Sequence, residues 1–401
     1  MYTGSRLLVF VMLSVLPVML YSVQCPLAPT WNKSFVSSED QNAHAVVSTP
    51  DESFFVLGST GVLANGEGDV VLWKIDDQGN FLWQRLFGGS GQDLGFDLRQ
   101  TSDHNLLLFG KTDSWSEGDD DLYLIKVTPD GNLLWAQTYG GGRDEIGFGV
   151  RETSDGNLIL VGSSESYGDG SSDVLLLSTT PDGSELWSHT YGWYGTEVGY
   201  GVAVADDGNL FVTGSTDSLD TQTQLFVLKT DAQGGEQWIF TYPETECVVG
   251  KDIITVKEGG VLIAGGAYES MSDTYDLCLV RIDEYGNLLW YRSVDFEGGD
   301  EIGYAVKQMR SEYVSIGYSA SRGSQRMFVV KVDVNGHDVW KRVYPASYAY
   351  GVGYDLIPVR HQGLVLVGSM TGSGGDRDMW LVRTDQDGSA PLNTDDEVVS
   401  E

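Results

Sequence analysis

Apolar residues in this chain come in short runs, each closed by a cluster of turn-forming residues. Ile146 to Val150 is followed by the turn Ser154-Asp155-Gly156-Asn157, and Leu158-Ile159-Leu160-Val161-Gly162 by a polar stretch from Ser163 to Ser172. Val174-Leu175-Leu176-Leu177 runs into Pro181-Asp182-Gly183-Ser184, and Leu186-Trp187 leads on to Tyr191. Runs of this length, rich in Val, Leu, Ile and aromatic residues, predict β-strands. No stretch carries the 3.6-residue period of an amphipathic helix. The Asp-Gly connections suit tight hairpins, because glycine takes positive φ at no steric cost. Residues 144–191 therefore predict one four-stranded antiparallel meander.

The unit recurs. Trp31, Trp83, Trp135, Trp187, Trp238, Trp290 and Trp340 stand 52, 52, 52, 51, 52 and 50 residues apart. Gly79, Gly131, Gly183, Gly234, Gly286, Gly336 and Gly388 keep the same period. Such a period marks units that each cover a neighbour's apolar face. Seven four-stranded sheets in sequence predict an all-β, seven-bladed β-propeller over residues 30–388. The ends predict ring closure. Tyr354 to Val359, Leu364 to Gly368 and Asp378 to Asp385 form three strands with no Trp-bearing strand after them. That strand occurs alone at the other end, as Thr30-Trp31-Asn32-Lys33-Ser34-Phe35. The two ends together complete one blade.

Asp144-Glu145-Ile146-Gly147 to Val150, Asp206-Asp207-Gly208-Asn209, Val212-Thr213-Gly214-Ser215-Thr216 and Lys74-Ile75-Asp76-Asp77-Gln78-Gly79-Asn80-Phe81-Leu82-Trp83, taken from different copies of the unit, show the successive parts of a known motif. The pattern resembles the β-propeller repeat family of exported bacterial and archaeal proteins. The Lys-to-Trp part is also similar to the Trp-docking repeat of quinoprotein dehydrogenases. The first resemblance implies export, an innermost Gly-x-x-Val strand and an outermost Trp strand. The second implies that the tryptophans knit adjacent blades; it implies no cofactor here, since no adjacent cysteine pair or matching ligand set is present. Neither resemblance specifies a ligand.

Charge narrows the partners. The chain has 58 acidic against 24 basic residues, a net charge of −34. A surface so acidic repels phosphate backbones, which argues against nucleic acid. At the N-terminus, Arg6 precedes an apolar run from Leu7 to Leu20 that ends at Cys25. This predicts an export segment over residues 1–25: a cleaved signal, a lipoprotein signal with Cys25 as the lipidated residue, or a retained anchor. All three place the propeller outside the cytoplasm, with membrane contact only through that segment. Three cysteines are too few for a disulfide framework. Cys278 reads as a buried thiol in a strand and Cys247 as a loop residue, with a bridge between them as the alternative. Residues 389–401 are acidic and predict a disordered tail.

With the Gly-x-x-Val strand innermost, the short turns share one face of the disc and the long loops share the other. Function is expected on the long loops. The loops after each Trp carry Asp93, Asp144, Glu145, Glu197, Asp300 and Glu301 toward the channel mouth. Carboxylates around one axis could hold a hard cation such as calcium, or each could cap backbone N–H groups at its own bend. Trp115, Tyr167, Trp193, Tyr194 and Tyr268, with Phe296, Tyr348 and Tyr350, enrich the same face in rings that suit sugars or a protein partner. Lys74, Lys126, Lys229, Arg281, Lys331 and Arg383 share one place on the third strand, where pairing with flanking acids is expected. The five histidines share no register, and no Ser-His-Asp set or phosphate loop is present. Asn32-Lys33-Ser34 is a glycosylation triplet in the closing strand. The expected function is a monomeric, exported, non-catalytic binding module for glycans or surface proteins. The alternatives are a glycoside hydrolase or lyase using channel carboxylates, and a structural surface-layer component.

Overall fold

The fold was taken from a computed structural model. It describes residues 29–36, 40–61, 68–116, 118–218, 223–296, 298–321, 323–344, 350–360, 363–372, 375–392 and 395–398. The export segment, Tyr348 and His361 lie outside the described residues.

Seven sheets built on antiparallel pairs follow one another along the chain, six of them with their strands in sequence order and the seventh completed by the first strand of the chain. Blade 3 is typical: Glu145–Glu152, Leu158–Ser164, Asp173–Thr179 and Glu185–Tyr191. The first strand of every blade touches the first strands of the blades before and after it, and the seventh returns to the first, so these strands wall a central channel. Closure occurs as the terminal patterns predict. Trp31–Val36 pairs antiparallel with Arg377–Arg383, placing Trp31 against Arg383 and Phe35 against Met379. The tail departs from expectation: Asp395–Val398 forms a fifth strand, parallel to Trp31–Val36, at the edge of blade 7. Backbone pairing to an otherwise open sheet edge orders a segment whose composition alone predicts none.

The apolar core lies between blades. It divides into seven clusters, each drawn from two consecutive blades. Blades 2 and 3, for example, bury Leu107, Phe109 and Leu122 against Leu158, Leu160 and Leu175. No blade could bury these faces alone, and this is why the unit repeats.

The tryptophans and glycines of the repeat meet across the blade boundary. Gly183 has φ +85°, and a Cβ there would lie 3.1 Å from the Trp135 ring and 2.9 Å from Gln137. Trp31 against Gly79, Trp83 against Gly131, Trp187 against Gly234 and Trp340 against Gly388 repeat the contact. Tyrosines four residues after a Trp complete the clamp: the Tyr139 hydroxyl donates to the Gly183 carbonyl at 2.6 Å and Tyr344 to Gly388 at 2.6 Å. The third-strand cations join in, though not uniformly through acids. Lys126 pairs with Asp103 at 2.9 Å and Arg383 with Glu52 at 3.3 Å. Lys229 instead donates to the Glu284 carbonyl at 2.9 Å, and Arg281 to the carbonyls of Val261, Ile282 and Gly259.

Candidate functional site

Each inner strand breaks its pairing register just after the position of its repeat glycine, and that of blade 5 breaks a second time, between Cys247 and Val249. A β-bulge leaves one residue outside the ladder and re-aims its side chain. The seven bulged residues are His44, Phe96, Phe148, Tyr200, Lys251, Tyr304 and Tyr354, and all seven line the central cavity. Their rings touch around the collar: Tyr304–Tyr354 at 5.1 Å, Tyr354–His44 at 4.7 Å, His44–Phe96 at 5.5 Å, Phe96–Phe148 at 5.7 Å and Phe148–Tyr200 at 4.9 Å between centroids. Lys251 occupies the remaining place, its Nζ 3.4 Å from the Tyr200 centroid. Burial, then the Arg377 charge, lowers the His44 pKa to about 4, so this imidazole is neutral at pH 7. Burial lowers Lys251 to about 8.

One step further along the same strands lies a closed set of ion pairs. Arg99 meets Asp97 at 3.1 Å; Arg151 meets Asp97 at 2.8 Å and Asp252 at 3.6 Å; Lys307 meets Asp252 at 3.3 Å and Asp355 at 3.0 Å. Asp355 also acts electrostatically on Arg99, which completes the circle. Each aspartate bridges blades by accepting a backbone N–H from another blade: Val150 on Asp97 at 2.9 Å, Val306 on Asp252 at 3.0 Å and Val46 on Asp355 at 3.1 Å. Burial alone would raise Asp252, but Lys307 and Arg151 outweigh it and hold the carboxyl below the usual carboxylate range. Asp252 is therefore fixed as a charged strut. An acid–base pair cannot be drawn from the three aspartates without leaving a half-buried cation short of a partner.

The acids singled out from sequence turn out to be caps. Asp93, Glu145, Glu197 and Glu301 are fully buried beneath the long loops. Asp93 accepts from the Gly89 N–H at 2.8 Å and the Ser114 hydroxyl at 2.7 Å. Glu145 accepts from Gly141 N–H at 2.6 Å and Ser164 at 2.6 Å, and Glu197 from Trp193 N–H at 2.7 Å and Thr216 at 2.6 Å. Asp144 and Asp300 are half-buried and accept the Asp120 and Tyr275 N–H groups at 3.1 and 3.0 Å. Asp93, Glu145 and Glu197 thus order their own loops, while Asp144 and Asp300 tie theirs to the preceding blade.

The place five residues after the Trp differs between blades. Gly88, Gly140 and Gly192 each lie against a carboxylate pair; a Cβ at Gly140 would sit 2.0 Å from Asp121 and 2.7 Å from Glu145. In blade 5 the corresponding residue is Asp295. Carboxylate oxygens of Asp276, Asp295 and Glu301 lie within 4.8 Å of one another. Burial, with the Asp295 and Asp276 charges adding to it, pushes Glu301 up to about 7, against the Ser319 and Phe296 hydrogen bonds. Among the described residues this is the place where the calcium expectation has three carboxylates together; Asp93, Glu145 and Glu197 each lie in a pair.

The loop aromatics are spread round the rim. Trp115 stacks on Tyr123 at 5.4 Å, Tyr167 donates to the Gly140 carbonyl at 2.9 Å, and Tyr268 donates to Asp273 at 2.7 Å beside Tyr275. Trp193 is half-buried and Tyr194 is 92% exposed. They belong to different loops and do not form one site. Tyr350 does lie by the channel, where it hydrogen-bonds Tyr354 and carries the Arg377 guanidinium 4.8 Å above its ring. Asn32 is buried, donating to the Pro391 carbonyl at 3.2 Å and accepting from the Trp380 indole at 2.7 Å, so a glycan there is incompatible with the closed ring. Cys247 and Cys278 form a disulfide, contrary to the free-thiol expectation. The strand between them reads Gly265-Gly266-Ala267 there, too small to keep the sulfurs apart.

Sequence reasoning missed the collar and the ion pairs. Its signal was a constant place after the inner-strand glycine, occupied by residues of changing chemistry.

No family model matches the chain. The curated relative it matches is the regulatory protein FlaEY of Caulobacter vibrioides, 25% identical over 243 residues; the match spans 56% of this chain and 24% of that protein. Among solved structures, the chain is similar to a polysaccharide lyase of family PL25, an ulvan lyase bound to a GlcA(1-4)Rha3S saccharide, with a TM-score of 0.56, 10% identity, and coverage of 88% and 96% of the two chains. It is also similar to the polysaccharide lyase Uly1, with a TM-score of 0.52, 12% identity, and coverage of 86% and 90%. The chain is a seven-bladed β-propeller. At these identities the likeness concerns the fold alone. Among the described residues no helix is long and apolar enough to cross a membrane.

Proposed function

We propose that this propeller is an exported, non-catalytic module that binds glycans at the channel mouth on its long-loop face. One observation carries the reading: seven bulges turn a nearly unbroken ring of aromatic side chains into the channel, with the Tyr350 and Arg377 pair beside it. Stacked rings that carry hydroxyl donors suit the apolar faces and hydroxyl edges of sugars. That two propellers of similar architecture are polysaccharide lyases supports the ligand class. The carboxylates Asp97, Asp252 and Asp355 are held in ion pairs, and this weighs against the hydrolase or lyase reading built on channel acids. Export is supported by the apolar run after Arg6 and by the buried Cys247–Cys278 bridge, since disulfides persist in oxidising compartments.

The test is a broad glycan array probed with the propeller, followed by titration calorimetry on any hit. Tyr350→Ala, at the mouth, is expected to weaken binding at least tenfold while leaving the melting temperature in place; Trp115→Ala, at the rim, is expected to leave affinity unchanged. The converse pattern moves the site to the rim. Absence of binding to neutral and acidic glycans alike overturns the ligand class and favours a surface-protein partner.

A further inference from the structure

The collar holds one ammonium that no carboxylate among the described residues pairs with. Arg99, Arg151 and Lys307 are matched by Asp97, Asp252 and Asp355 through contacts of 2.8 to 3.6 Å. Lys251 is left over. Among the described residues no carboxylate pairs with its Nζ; its contact is the Tyr200 ring at 3.4 Å. The other collar positions carry no formal charge at pH 7, His44 included. Three cations are thus matched by three anions in the floor, and Lys251 is the ammonium of the collar itself, with Arg377 beside the collar over the Tyr350 ring. A lone ammonium taken out of water is costly unless something of opposite sign reaches it. A cation over a ring face recovers part of that cost, on the order of 1–2 kcal/mol, and Lys251 still has its pKa brought down to about 8.

The space beside it is small. The cavity shared by collar and ion pairs is about 80 Å³, room for two or three water molecules or one compact anionic group, given roughly 30 Å³ per water. Its walls offer the Lys251 ammonium, hydroxyl-bearing rings of Tyr200 and Tyr304 near it, and apolar ring faces elsewhere. Phosphate or sulfate, with two charges and a tetrahedral bulk, matches neither the one ammonium beside this space nor the flat ring walls. A carboxylate matches both: it is planar, singly charged, and accepts from an ammonium and a phenol together.

We propose that the collar is a carboxylate-binding site centred on Lys251, and that the ion pairs below it act as a charge-neutral floor which leaves that one ammonium to select the ligand. The carboxylate comes either from a free small acid or from a sugar acid whose ring stacks on the collar above. The site stands on Lys251 and the cavity, not on the glycan reading, and it survives if neutral glycans fail to bind.

The test uses the propeller with its lysines reductively ¹³C-dimethylated, the Lys251 signal being assigned by its loss in Lys251→Met. Sodium acetate, sodium glucuronate and neutral glucose are titrated at fixed ionic strength. A bound carboxylate stabilises the charged amine, so the Lys251 titration midpoint is expected to rise from its ligand-free value, with saturation, while glucose leaves it in place. Response to both anions points to a free small acid as sufficient; response to glucuronate alone points to a sugar acid. Calorimetry on the unlabelled protein should give at least tenfold weaker binding of the active anion for Lys251→Met. If that variant fails to fold, the shift in the wild-type midpoint decides alone. Absence of a shift with either anion, or equal binding by a folded Lys251→Met, overturns the proposal.

Discussion

Asp252 is the keystone of the channel ion pairs, and its replacement by Asn measures them. The carboxylate meets Lys307 at 3.3 Å and Arg151 at 3.6 Å and accepts the Val306 N–H at 3.0 Å. Asn keeps the shape and an acceptor for Val306 but removes the charge, leaving the half-buried Lys307 and Arg151 with one acid each. Breaking a buried pair in this way costs about 3–5 kcal/mol, mostly as the penalty of the uncompensated cation. Taking about 3 kcal/mol, and about 2.1 cal/mol/K per residue over roughly 360 residues, the melting temperature should fall by about 4 °C. Adding Lys307→Met removes one of the stranded cations, so Asp252→Asn/Lys307→Met should recover at least about 1.5 kcal/mol relative to the sum of the single losses. The pH dependence has a fixed sign. Because the folded-state pKa of Asp252 lies below the ordinary value, its contribution is present above about pH 4 and disappears as the pH falls through the folded pKa. Differential scanning calorimetry of the wild type, both singles and the double would show it. A single-variant loss under about 1 kcal/mol, or additive losses in the double, would refute the view that these charges form one buried, mutually dependent set.

Glu301 gives the opposite pH sign. Its folded pKa of about 7 exceeds the ordinary value, so its contribution is complete below about pH 4.5 and fades as the pH rises through 7. Glu301→Gln should therefore equal the wild type near pH 4 and exceed it above pH 7 by up to about 3 kcal/mol, the free-energy equivalent of the shift; a pH-independent difference in melting temperature would count against the carboxylate cluster as the cause. Gly183→Ala should cost about 1–2 kcal/mol, from forcing a side chain into positive φ and against Trp135. Gly142→Ala, where a Cβ meets nothing within 4 Å, should change stability by less than about 0.5 kcal/mol; equal effects at the two sites would remove the docking role of the glycine series.

Why the blades were legible and the channel was not follows from what each position demands. Gly183 and Trp135 must be those residues, or close to them, in every copy: one takes positive φ under a ring and the other supplies the ring. A requirement on a single residue type repeats as a letter, and a period of letters can be read. Capping acids such as Glu145 and Glu197 also repeat as letters, but the letter does not tell that they are buried, since that depends on hydroxyls from the next strand, Ser164 and Thr216. The Cys247–Cys278 bridge depended on small residues in the strand between its ends, a condition set by register and invisible in spacing.

The collar obeys a different rule. A bulge fixes where a side chain points and leaves its chemistry free, so the seven positions hold imidazole, phenyl, phenol and ammonium without harm to the blades. The ion pairs go further, because Asp97, Asp252 and Asp355 come from blades 2, 5 and 7 and their cations from blades 2, 3 and 6. The same places elsewhere are held by Ala45, Gly149, Gly201 and Ala305, whose small size makes room for the charged chains to meet. Each blade alone looks like a variant of the repeat, and only ring closure turns the departures into a set. Positions where a strict repeat tolerates variety at a constant geometric place are therefore where a propeller's own chemistry should be sought. In this chain that criterion selects the bulged residue of each inner strand over the acids and rings of the loops, and among the seven it selects Lys251.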